Sequence, residues 1–412
     1  MDMLIGIDDT DSPGGMCTTY LGAVLARRLI RERMKVREAR LIRLNPNVTW
    51  KTRGNAAICL DVDGDPERAF AIACSVVEEL ADFSCDNTNP GVVVTEQKPD
   101  PAFYERAVKD FCEIADAINI LEAAGAQFRG YKNGRGLIGA TAAVASCLAD
   151  FTSEILVYRR PEMFGTSRFV DRESLFAAEE ATFPHTWDTV DPENDVVVCV
   201  PHTPDPVLYG IRGESPSWVT GARSIIDSEP AGLEQIWLTN QGTDAHLVAG
   251  KIGCLREGIS YFVRGIVMDM PKTGTGGHAS FTLQDEHTTL RCMAYEPTKG
   301  FRHIVRELIP GDDVVVFGSY KKGSINLEKI HVIALAKNIL VRPPLCALCE
   351  KRMTSDGKAK GYKCKKCGAH SHNPEVTEIQ RAISQGWYEV PPSARRHLAK
   401  PLCRMGKERE MV

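Results

Sequence analysis

Apolar and polar positions in the first 159 residues alternate between strand-like and helix-like patterns. Short apolar runs, each of the length of a buried strand, occupy residues 3–5, 56–62 and 91–95. Apolar residues recur at helical spacing over residues 20–30, 66–80 and 101–125, and Pro66 stands where a proline commonly begins a helix. The alternation predicts a mixed α/β domain over residues 1–159.

Residues 160–249 form a second segment with a different pattern. Strands are predicted at residues 195–200 and 234–238. The stretch between these strands is rich in Gly, Pro and Ser, which favours binding loops over core.

Residues 250–342 contain short alternating strands in close succession. Five strands are predicted, at residues 261–267, 279–283, 290–294, 313–318 and 327–336. A helical patch at residues 301–308 lies between the third and the fourth strand. This order is typical of an OB-fold barrel, which commonly binds single-stranded nucleic acid or folded RNA. A spacer between two other modules is the alternative.

The composition of the chain is that of a soluble globular protein. It has 412 residues, 43% apolar and 25% charged, which is enough for about two to four domains. No apolar run approaches the roughly 20 residues that span a bilayer, and no signal peptide is apparent. The 14 cysteines do not form the pattern of a secreted disulfide framework, so we expect reduced thiols and a cytoplasmic protein.

Charge is unevenly distributed, although the formal net charge is only −4. Residues 343–412 hold 14 Lys and Arg against 7 Asp and Glu, whereas the first 342 residues hold 36 against 47. A basic module on an acidic body favours a polyanionic partner.

Two Cys-x-x-Cys pairs stand in this basic segment, with fourteen residues between them: Cys346, Cys349, Cys364 and Cys367. They match a zinc ribbon with four thiolate ligands, in which the metal is structural because no coordination position stays open. His370 and His372 are alternative ligands that the complete quartet makes unnecessary. The linking residues are basic and are candidate contacts to a phosphate backbone, namely Lys358, Lys360, Lys363, Lys365 and Lys366.

An acidic loop follows the first apolar run, with the sequence Gly6-Ile7-Asp8-Asp9-Thr10-Asp11-Ser12. Three carboxylates so close together repel one another unless a cation lies between them, and their oxygens suit Mg²⁺ and, through it, nucleotide phosphates. Thr18 and Thr19 follow a Gly-Gly turn and open the predicted helix. The loop is therefore a candidate phosphoryl-transfer site, and a solvated acidic turn is the alternative.

A glycine-rich loop at residues 129–139 leads into a helix-like stretch at residues 140–148. It contains a Gly-x-Gly-x-x-Gly pattern, but no convincing strand precedes it, which disfavours a Rossmann fold. The loop is a candidate cradle for nucleotide phosphates, with a flexible turn as the alternative. The residues concerned are Gly130, Lys132, Asn133, Gly134, Arg135 and Gly136.

Three further loops of the second segment combine glycine or small polar residues with aromatic or charged residues, at residues 163–168, 209–214 and 222–227. Such loops suit a pocket for a small polar ligand, and they are also what ordinary turns look like.

Together these motifs occur in an order that resembles one known family. The loop at residues 5–12, the glycine loop, the OB-like segment with Gly276-Gly277-His278 and residues 294–298, and the cysteine quartet resemble the archaeal agmatidine synthases, the TiaS family. The resemblance covers essentially the full length. Members of this family modify the wobble cytidine of an isoleucine tRNA with a CAU anticodon.

The resemblance implies a multidomain α/β and all-β architecture with four domains. These are a kinase-like catalytic domain at residues 1–159, a ferredoxin-like domain at 160–249 that helps to build the agmatine pocket, an OB-fold at 250–342, and a zinc ribbon with a basic tail at 343–412. The last two would bind tRNA.

The resemblance also implies an ATP-dependent ligase that phosphorylates the two-position oxygen of the cytosine and then replaces it with agmatine. Asp8, Asp9 and Asp11 would hold Mg²⁺ and act in catalysis, and Thr18 could itself accept a phosphoryl group. The glycine loop would bind ATP. The best candidates for contacts to agmatine are Met163, Phe164, Tyr209, Gly210, Ile211 and Asp227. No membrane and no obligate protein partner are expected.

Two alternatives to this function stay open from the sequence. One is a different ATP-dependent enzyme that adenylates a tRNA base. The other is a non-catalytic RNA-binding protein that combines an OB-fold and a zinc ribbon with a degenerate N-terminal domain.

Overall fold

The N-terminal half of the chain is built on one nine-stranded sheet. The computed structural model describes residues 1–52, 54–357 and 360–406. The elements of this half are β1 (Asp2–Asp8), α1 (Thr18–Arg31), β2 (Lys35–Arg43), β3 (Ala56–Asp63), α2 (Pro66–Leu80), β4 (Gly91–Thr95), α3 (Pro101–Lys109), α4 (Ile114–Ala123), β5 (Gln127–Gly130), α5 (Gly136–Val144), β6 (Thr152–Tyr158), α6 (Arg172–Thr182), β7 (Thr186–Trp187), β8 (Val190–Asp191), β9 (Val196–Val197), β10 (Val207–Gly213), α7 (Pro216–Ile225) and β11 (Leu233–Thr239).

The strand order of this sheet is β5-β4-β1-β3-β2-β11-β6-β10-β7. All neighbours are antiparallel except β2 and β11, whose parallel pairing joins the two halves of the sheet. The sheet therefore runs across the predicted boundary at 159/160, and β6 pairs with β10 and β11 of the following segment. Helices α1 and α2 cover one face of the first half, and α3, α4 and α5 cover the other.

Most predicted elements of this half are confirmed, with four differences. The helix predicted at residues 140–148 begins earlier, at Gly136, and ends at Val144. The helix predicted at residues 101–125 is interrupted, since α3 ends at Lys109 and α4 begins at Ile114. The strand predicted at 195–200 is reduced to β9, because the backbone N–H groups of Val198 and Cys199 both donate to the carbonyl of Thr189 instead of to a ladder. A short edge strand, β5, precedes the glycine loop where none was predicted.

A closed five-stranded barrel follows, as predicted. Its elements are β12 (Leu247–Ala249), β13 (Ser260–Val267), β14 (Lys272–Thr273), β15 (Ala279–Asp285), β16 (Thr288–Ala294), α8 (Phe301–Arg306), β17 (Asp313–Lys321) and β18 (Ser324–Ala334). The barrel runs β13-β15-β16-β18-β17 and closes back on β13, with only the β16–β18 pair parallel. Helix α8 lies between the third and fourth barrel strands and packs on the same core.

The C-terminal segment divides into two regions with different roles. The ribbon module, residues 343–378, contains β20 (Thr354–Ser355), β21 (Tyr362–Lys363), β22 (His370–Ser371) and β23 (Glu375–Glu378), and β19 (Ile339–Arg342) pairs with β23. The C-terminal strap, residues 384–404, contains β24 (Gly386–Glu389), which adds to the barrel beside β18. From there the strap crosses to the nine-stranded sheet, where Gly242 N–H donates to the carbonyl of His397 at 2.8 Å.

The predicted basic tail is therefore mostly a packed part of the fold, and residues 407–412 lie outside the described residues. Within the described part of the chain, no helix is both long enough and apolar enough to cross a membrane.

Candidate active site and zinc centre

The acidic loop lies where β1 ends and before α1 begins. Asp8, Asp9 and Asp11 line a cavity of about 290 Å³, and Asp9 adopts a left-handed backbone conformation with φ of 59°. The other lining side chains come from the loop between β2 and β3, the segment between α3 and α4, and the start of α5, and include Leu44, Lys51, Asp110, Phe111, Arg135 and Ile138. The three predicted carboxylates thus lie together at one wall of a cavity.

The electrostatics of this wall favour a bound cation. Burial raises the pKa of Asp8 well above its usual value, and the neighbouring negative charge of Asp9 raises it further. Burial also raises the pKa of Asp9, against the opposing effect of Arg135, which donates to Asp9 Oδ2 at 2.8 and 3.1 Å. One arginine cannot neutralise both Asp8 and Asp9, and a cation would stabilise the charge that remains.

The glycines of the Gly-x-Gly-x-x-Gly pattern let α5 pack against β1 and β4. A Cβ on Gly139 would collide with the carboxylate of Asp8. A Cβ on Gly136 would collide with the backbone of Gly91 and lie 2.8 Å from the carbonyl oxygen of Asp8. Gly136 and Gly139 are therefore needed because helix and strand approach closely at the acidic loop. Sequence reasoning had interpreted this glycine pattern as a phosphate cradle.

The backbone N–H groups of the predicted cradle are mostly engaged inside the protein. Those of Gly134, Arg135 and Gly136 donate to Tyr131 O, Asn133 Oδ1 and Asn89 O respectively. Gly130 ends β5, and the exposed Lys132 donates from Nζ to the carbonyl of Cys85 at 2.6 Å. Among the six residues predicted to bind ATP, only Arg135 lines the cavity. Phosphate binding by the loop stays a prediction that now depends on side chains rather than on amides.

Thr18, the first residue of α1, lines a second cavity of about 260 Å³. This cavity shares Asp11, Gly54 and Ala56 with the first one, so the two adjoin at the acidic loop. Thr18 is 5% exposed, and its Oγ1 accepts hydrogen bonds from Thr10 Oγ1 at 3.0 Å and from Thr10 N at 3.4 Å. The Thr18 hydroxyl is thus held at a fixed position by Thr10 of the acidic loop.

The structure places the residues predicted to bind agmatine in different parts of the second segment. Gly210 lines the second cavity, whereas Tyr209 and Ile211 point to the opposite face of β10, where they are buried in the core beneath α6 and α7. Alternation along a strand explains this separation. Phe164, preceded by Met163, packs edge-on against Tyr20 at 5.6 Å. Asp227 is exposed and donates its N–H to Ser174 Oγ at 3.0 Å, so it does not line this cavity.

Sequence reasoning missed several polar residues that line the second cavity: Arg43, Glu154, Thr203, Asp205 and His397. Arg212, which belongs to the predicted loop at residues 209–214, lines it with them. They come from β2, β6, the loop before β10, β10 itself and the strap. Glu154 carried a usable signal, because it is a charge within the otherwise apolar strand β6 and is 2% exposed. His397 carried none, since only the course of the strap brings it to the cavity.

The four ribbon cysteines form a compact cluster. Their sulfurs all lie within 4.8 Å of one another, with Cys346 Sγ 3.4 Å from Cys367 Sγ and Cys349 Sγ 3.3 Å from Cys364 Sγ. The N–H groups of Cys367 and Lys366 lower the pKa of the Cys364 thiol to about 6, which favours the thiolate that zinc requires. The donor set therefore fits zinc with four thiolate ligands.

The residues around this cluster match the prediction in part. His370 lies outside the cysteine cluster, with its Nδ1 3.5 Å from Asp356. The described lysines of the predicted linker are exposed, namely Lys360, Lys363, Lys365 and Lys366, while Lys358 lies outside the described residues.

Comparison with protein families gives matches along most of the chain. The family model of the TiaS TCKD domain matches residues 4–133, that of the TiaS FLD domain matches residues 134–246, and that of the TiaS C-terminal zinc ribbon domain matches residues 343–383. The first two models meet at 133/134, within the glycine loop just before α5, rather than at 159/160.

Individual proteins are similar over nearly their whole length. The isoleucine-tRNA 2-agmatinylcytidine synthetase TiaS of Methanocorpusculum labreanum is 52% identical over 404 residues, covering 98% of this chain and 97% of the relative. The protein of the same name from Archaeoglobus fulgidus is 44% identical, covering 99% of both. The crystal structure of a complex of TiaS with an isoleucine tRNA and ATP is similar with a TM-score of 0.92 at 42% identity, covering 100% of this chain and 99% of the other. A complex of TiaS with the tRNA, AMPCPP and agmatine gives 0.89 at 40% identity, with the same coverage.

Proposed function

The chain belongs to the TiaS family, and on that premise we propose that it is a ligase that uses ATP to join agmatine to the wobble cytidine of an isoleucine tRNA with a CAU anticodon. The product is agmatidine, which allows the tRNA to decode AUA. The observation that carries this proposal is the meeting of two cavities at Asp11, one lined by carboxylates and the other by the hydroxyl of Thr18.

The chemistry explains why ATP is needed. The two-position oxygen of cytosine is a poor leaving group, so an amine cannot displace it directly. Transfer of the γ-phosphoryl group to that oxygen converts it into a phosphate ester. The primary amine of agmatine then attacks the adjacent carbon, the carbon–oxygen bond breaks, and phosphate leaves with the bonding electron pair.

The acidic cavity supplies the groups that phosphoryl transfer requires. Asp8, Asp9 and Asp11 offer the hard oxygen ligands that Mg²⁺ prefers, and an ion held there would supply positive charge to the phosphate oxygens. Arg135 lies beside Asp9 and presents a fixed cation at the same wall. The hydroxyl of Thr18 lines the adjoining cavity and can accept a phosphoryl group itself.

The second cavity offers carboxylates for the dication agmatine. Glu154 and Asp205 line it together with Asp11, and they are 2% and 5% exposed. Gly210 lies on the same face of β10 as Arg212, and its lack of a side chain leaves room above Leu156 and Glu154. Carboxylates that are shielded from water bind guanidinium and ammonium groups more strongly than exposed ones. We therefore assign the agmatine pocket to this face.

The remaining modules suit RNA. The barrel has the strand order and the helix position of an OB-fold, and the ribbon presents exposed lysines. We assign a kinase-like role to the first half of the nine-stranded sheet and a ferredoxin-like architecture to the second half. The barrel and the ribbon would hold the tRNA while the wobble base leaves its stack to enter the site.

The first test follows the label from ATP onto the tRNA. The full-length protein is incubated with the tRNA, agmatine and ATP that is labelled at either the α or the γ phosphorus, and the tRNA is analysed by mass spectrometry. We expect transient γ-label on the tRNA when agmatine is omitted, and agmatidine when it is present. A tRNA that carries α-label would show adenylation and would overturn the kinase assignment.

The second test uses a matched pair of variants at the two ends of β1. Asp9→Asn removes a carboxylate from the cavity, and we expect product formation to fall by about 10²- to 10³-fold with unchanged tRNA affinity. Asp2→Asn is the control, because Asp2 is exposed at the other end of β1. Equal loss in both variants would contradict a specific role for the acidic loop.

A further inference from the structure

The C-terminal strap brings one imidazole to the cavity that contains Thr18. His397 lines this cavity together with Thr18, Asp11 and Gly54, although it lies at the opposite end of the chain. The strap follows the last residue that the family models match, residue 383. The site assigned above from residues 4–246 is therefore completed by a segment that none of the three models covers.

The fold holds the strap on both sides of His397. Gly242 N–H donates to the carbonyl of His397 and Asp244 N–H to the carbonyl of Leu398, both at 2.8 Å. Arg396 pairs with Glu328 at 3.3 Å, and Lys400 pairs with Asp150 at 3.1 Å. The ring is thus positioned by the barrel and the sheet together.

The hydrogen bonds of the imidazole determine its tautomer. Arg212 Nη2 lies 2.6 Å from His397 Nδ1. Since a guanidinium has no acceptor, Nδ1 must accept, and the proton of the neutral ring resides on Nε2. Arg212 is itself held by Glu154 and Asp188, each at 3.3 Å. Burial, with the nearby charges of Arg43 and Arg212, holds the pKa of His397 well below its usual value, so the ring is neutral at neutral pH.

The Nε2 edge of the imidazole lies against Gly54, beside the guanidinium of Arg43. A Cβ on Gly54 would lie 3.4 Å from His397 Nε2 and 2.6 Å from Arg43 Nη1. His397 Nε2 and Arg43 Nη1 are therefore two donors beside Gly54, a residue that lines both cavities. Neighbouring N–H donors, one of them cationic, match a phosphoryl oxygen, which accepts several hydrogen bonds at once.

We propose that His397 is a catalytic residue whose Nε2–H donates a hydrogen bond to an oxygen of the phosphoryl group held beside Thr18. This inference rests on the proposed function, because the phosphoryl group comes from its ATP. The group can be carried by the base or by Thr18. In either case the histidine stabilises the charge on the phosphoryl oxygens, and Arg212 positions the ring.

Two substitutions separate the donor from the structural contact. His397→Gln can place an amide N–H near the position of Nε2, and it keeps the donor. His397→Asn can place an acceptor near Nδ1 for Arg212, but it lacks a group at Nε2. Each variant of the full-length protein is assayed in single turnovers with γ-labelled ATP and the tRNA, with and without agmatine. Thermal unfolding and tRNA affinity are measured alongside.

We expect His397→Asn to slow product formation by about 10²-fold, and His397→Gln to retain most of the rate, with similar unfolding midpoints and tRNA affinities. Label that is lost from the tRNA alone identifies the base phosphate, and label that is lost from the protein identifies phosphorylated Thr18. Wild-type rates in His397→Asn, or equal losses in both variants, would overturn the inference. If the wild-type protein itself makes no agmatidine, the proposed function fails instead.

Discussion

The ribbon module and the C-terminal strap are neighbouring basic stretches whose charges have opposite environments. The described lysines of the ribbon are exposed, and none of them forms an ion pair within the described part of the chain: Lys351, Lys360, Lys363, Lys365 and Lys366. All four cations of the strap are paired with carboxylates of the barrel or the sheet: Arg395, Arg396, Lys400 and Arg404. Arg404 is fully buried.

A local excess of positive charge can therefore arise for two different structural reasons. The exposed lysines leave a charge that a polyanion can neutralise, whereas the strap cations already satisfy carboxylates that would otherwise be buried alone. The charge imbalance of residues 343–412 therefore supports RNA binding only for the ribbon. In the strap, the positive charges form ion pairs that attach it to the barrel and the sheet.

The largest expected effect is the loss of zinc, which should unfold the ribbon and leave the strap intact. Cys364→Ser removes one of four zinc ligands, and zinc supplies about 10–16 kcal/mol of folding free energy in such modules. We expect the ribbon to lose zinc and protection from hydrogen exchange, and tRNA affinity to fall, while exchange in the strap stays unchanged.

Cys147→Ser is the control for this prediction, since Cys147 is exposed and outside the cluster. One zinc per chain with unchanged tRNA affinity in Cys364→Ser would contradict the assignment of the ribbon.

The next largest effect is expected when the buried ion pairs that attach the strap are removed. Arg404 pairs with Asp150 at 2.9 Å and with Glu214 at 3.0 Å, and loss of one partner of a buried pair costs about 3–5 kcal/mol. We expect Arg404→Ala to lower the midpoint of urea denaturation clearly. In the ribbon, Arg352→Ala removes an exposed pair with Glu375, worth less than about 1 kcal/mol. Similar midpoints for the two variants would refute the contrast.

A pH dependence sharpens the comparison further. Burial alone would raise the pKa of Glu328, but Arg396 of the strap and His246 outweigh it and lower this pKa to about 2. The carboxylate is therefore charged in the folded protein at pH values where it is protonated in the unfolded chain. Its stabilisation is present above the unfolded pKa of about 4.3 and is lost as the pH falls toward 2.

The measurement is the unfolding free energy between pH 5 and pH 2. We expect Glu328→Gln to lack a slope of up to about 1.4 kcal/mol per pH unit that the wild-type protein shows there. Glu378→Gln, at an exposed glutamate of the ribbon, should keep the slope. If the unfolding free energies of wild type and Glu328→Gln changed in parallel with pH, stabilisation of Glu328 by the strap would be contradicted.

The smallest effect concerns a single exposed lysine. If Lys366 contacts a phosphate, Lys366→Ala should reduce the slope of log affinity against log salt by about 1 and weaken binding to all tRNAs alike. Filter binding or fluorescence anisotropy over a range of salt concentrations measures this slope. Lys35→Ala, at an exposed lysine on β2, should leave it unchanged. An unchanged slope in Lys366→Ala would show that this lysine does not contact a phosphate of the RNA.

Local patterns predicted those parts of the molecule whose contacts are local. The zinc quartet is specified by spacing within one short segment, and the helix Pro66–Leu80 by its initial proline and helical periodicity. The acidic loop was found because its three carboxylates are close in sequence. The barrel followed from the order of its strands, since adjacent strands in the chain mostly pair.

The residues of the agmatine pocket could not be predicted from local patterns alone. Residues 209–211 were singled out as a group, but alternation along β10 sends Tyr209 and Ile211 into the core and leaves Gly210 at the cavity. Which face meets the cavity depends on the neighbouring strands β6 and β7, which are far away in sequence.

By itself, then, the sequence determined many of the elements, the zinc ligands and the acidic loop, because each depends on residues within a few turns or one strand of each other. Only the tertiary structure decided the shape of the site. The parallel pairing of β2 with β11 joins two sheets, and the strap returns His397 to Thr18. These contacts depend on the burial of surfaces that lie hundreds of residues apart, and no local pattern encodes them.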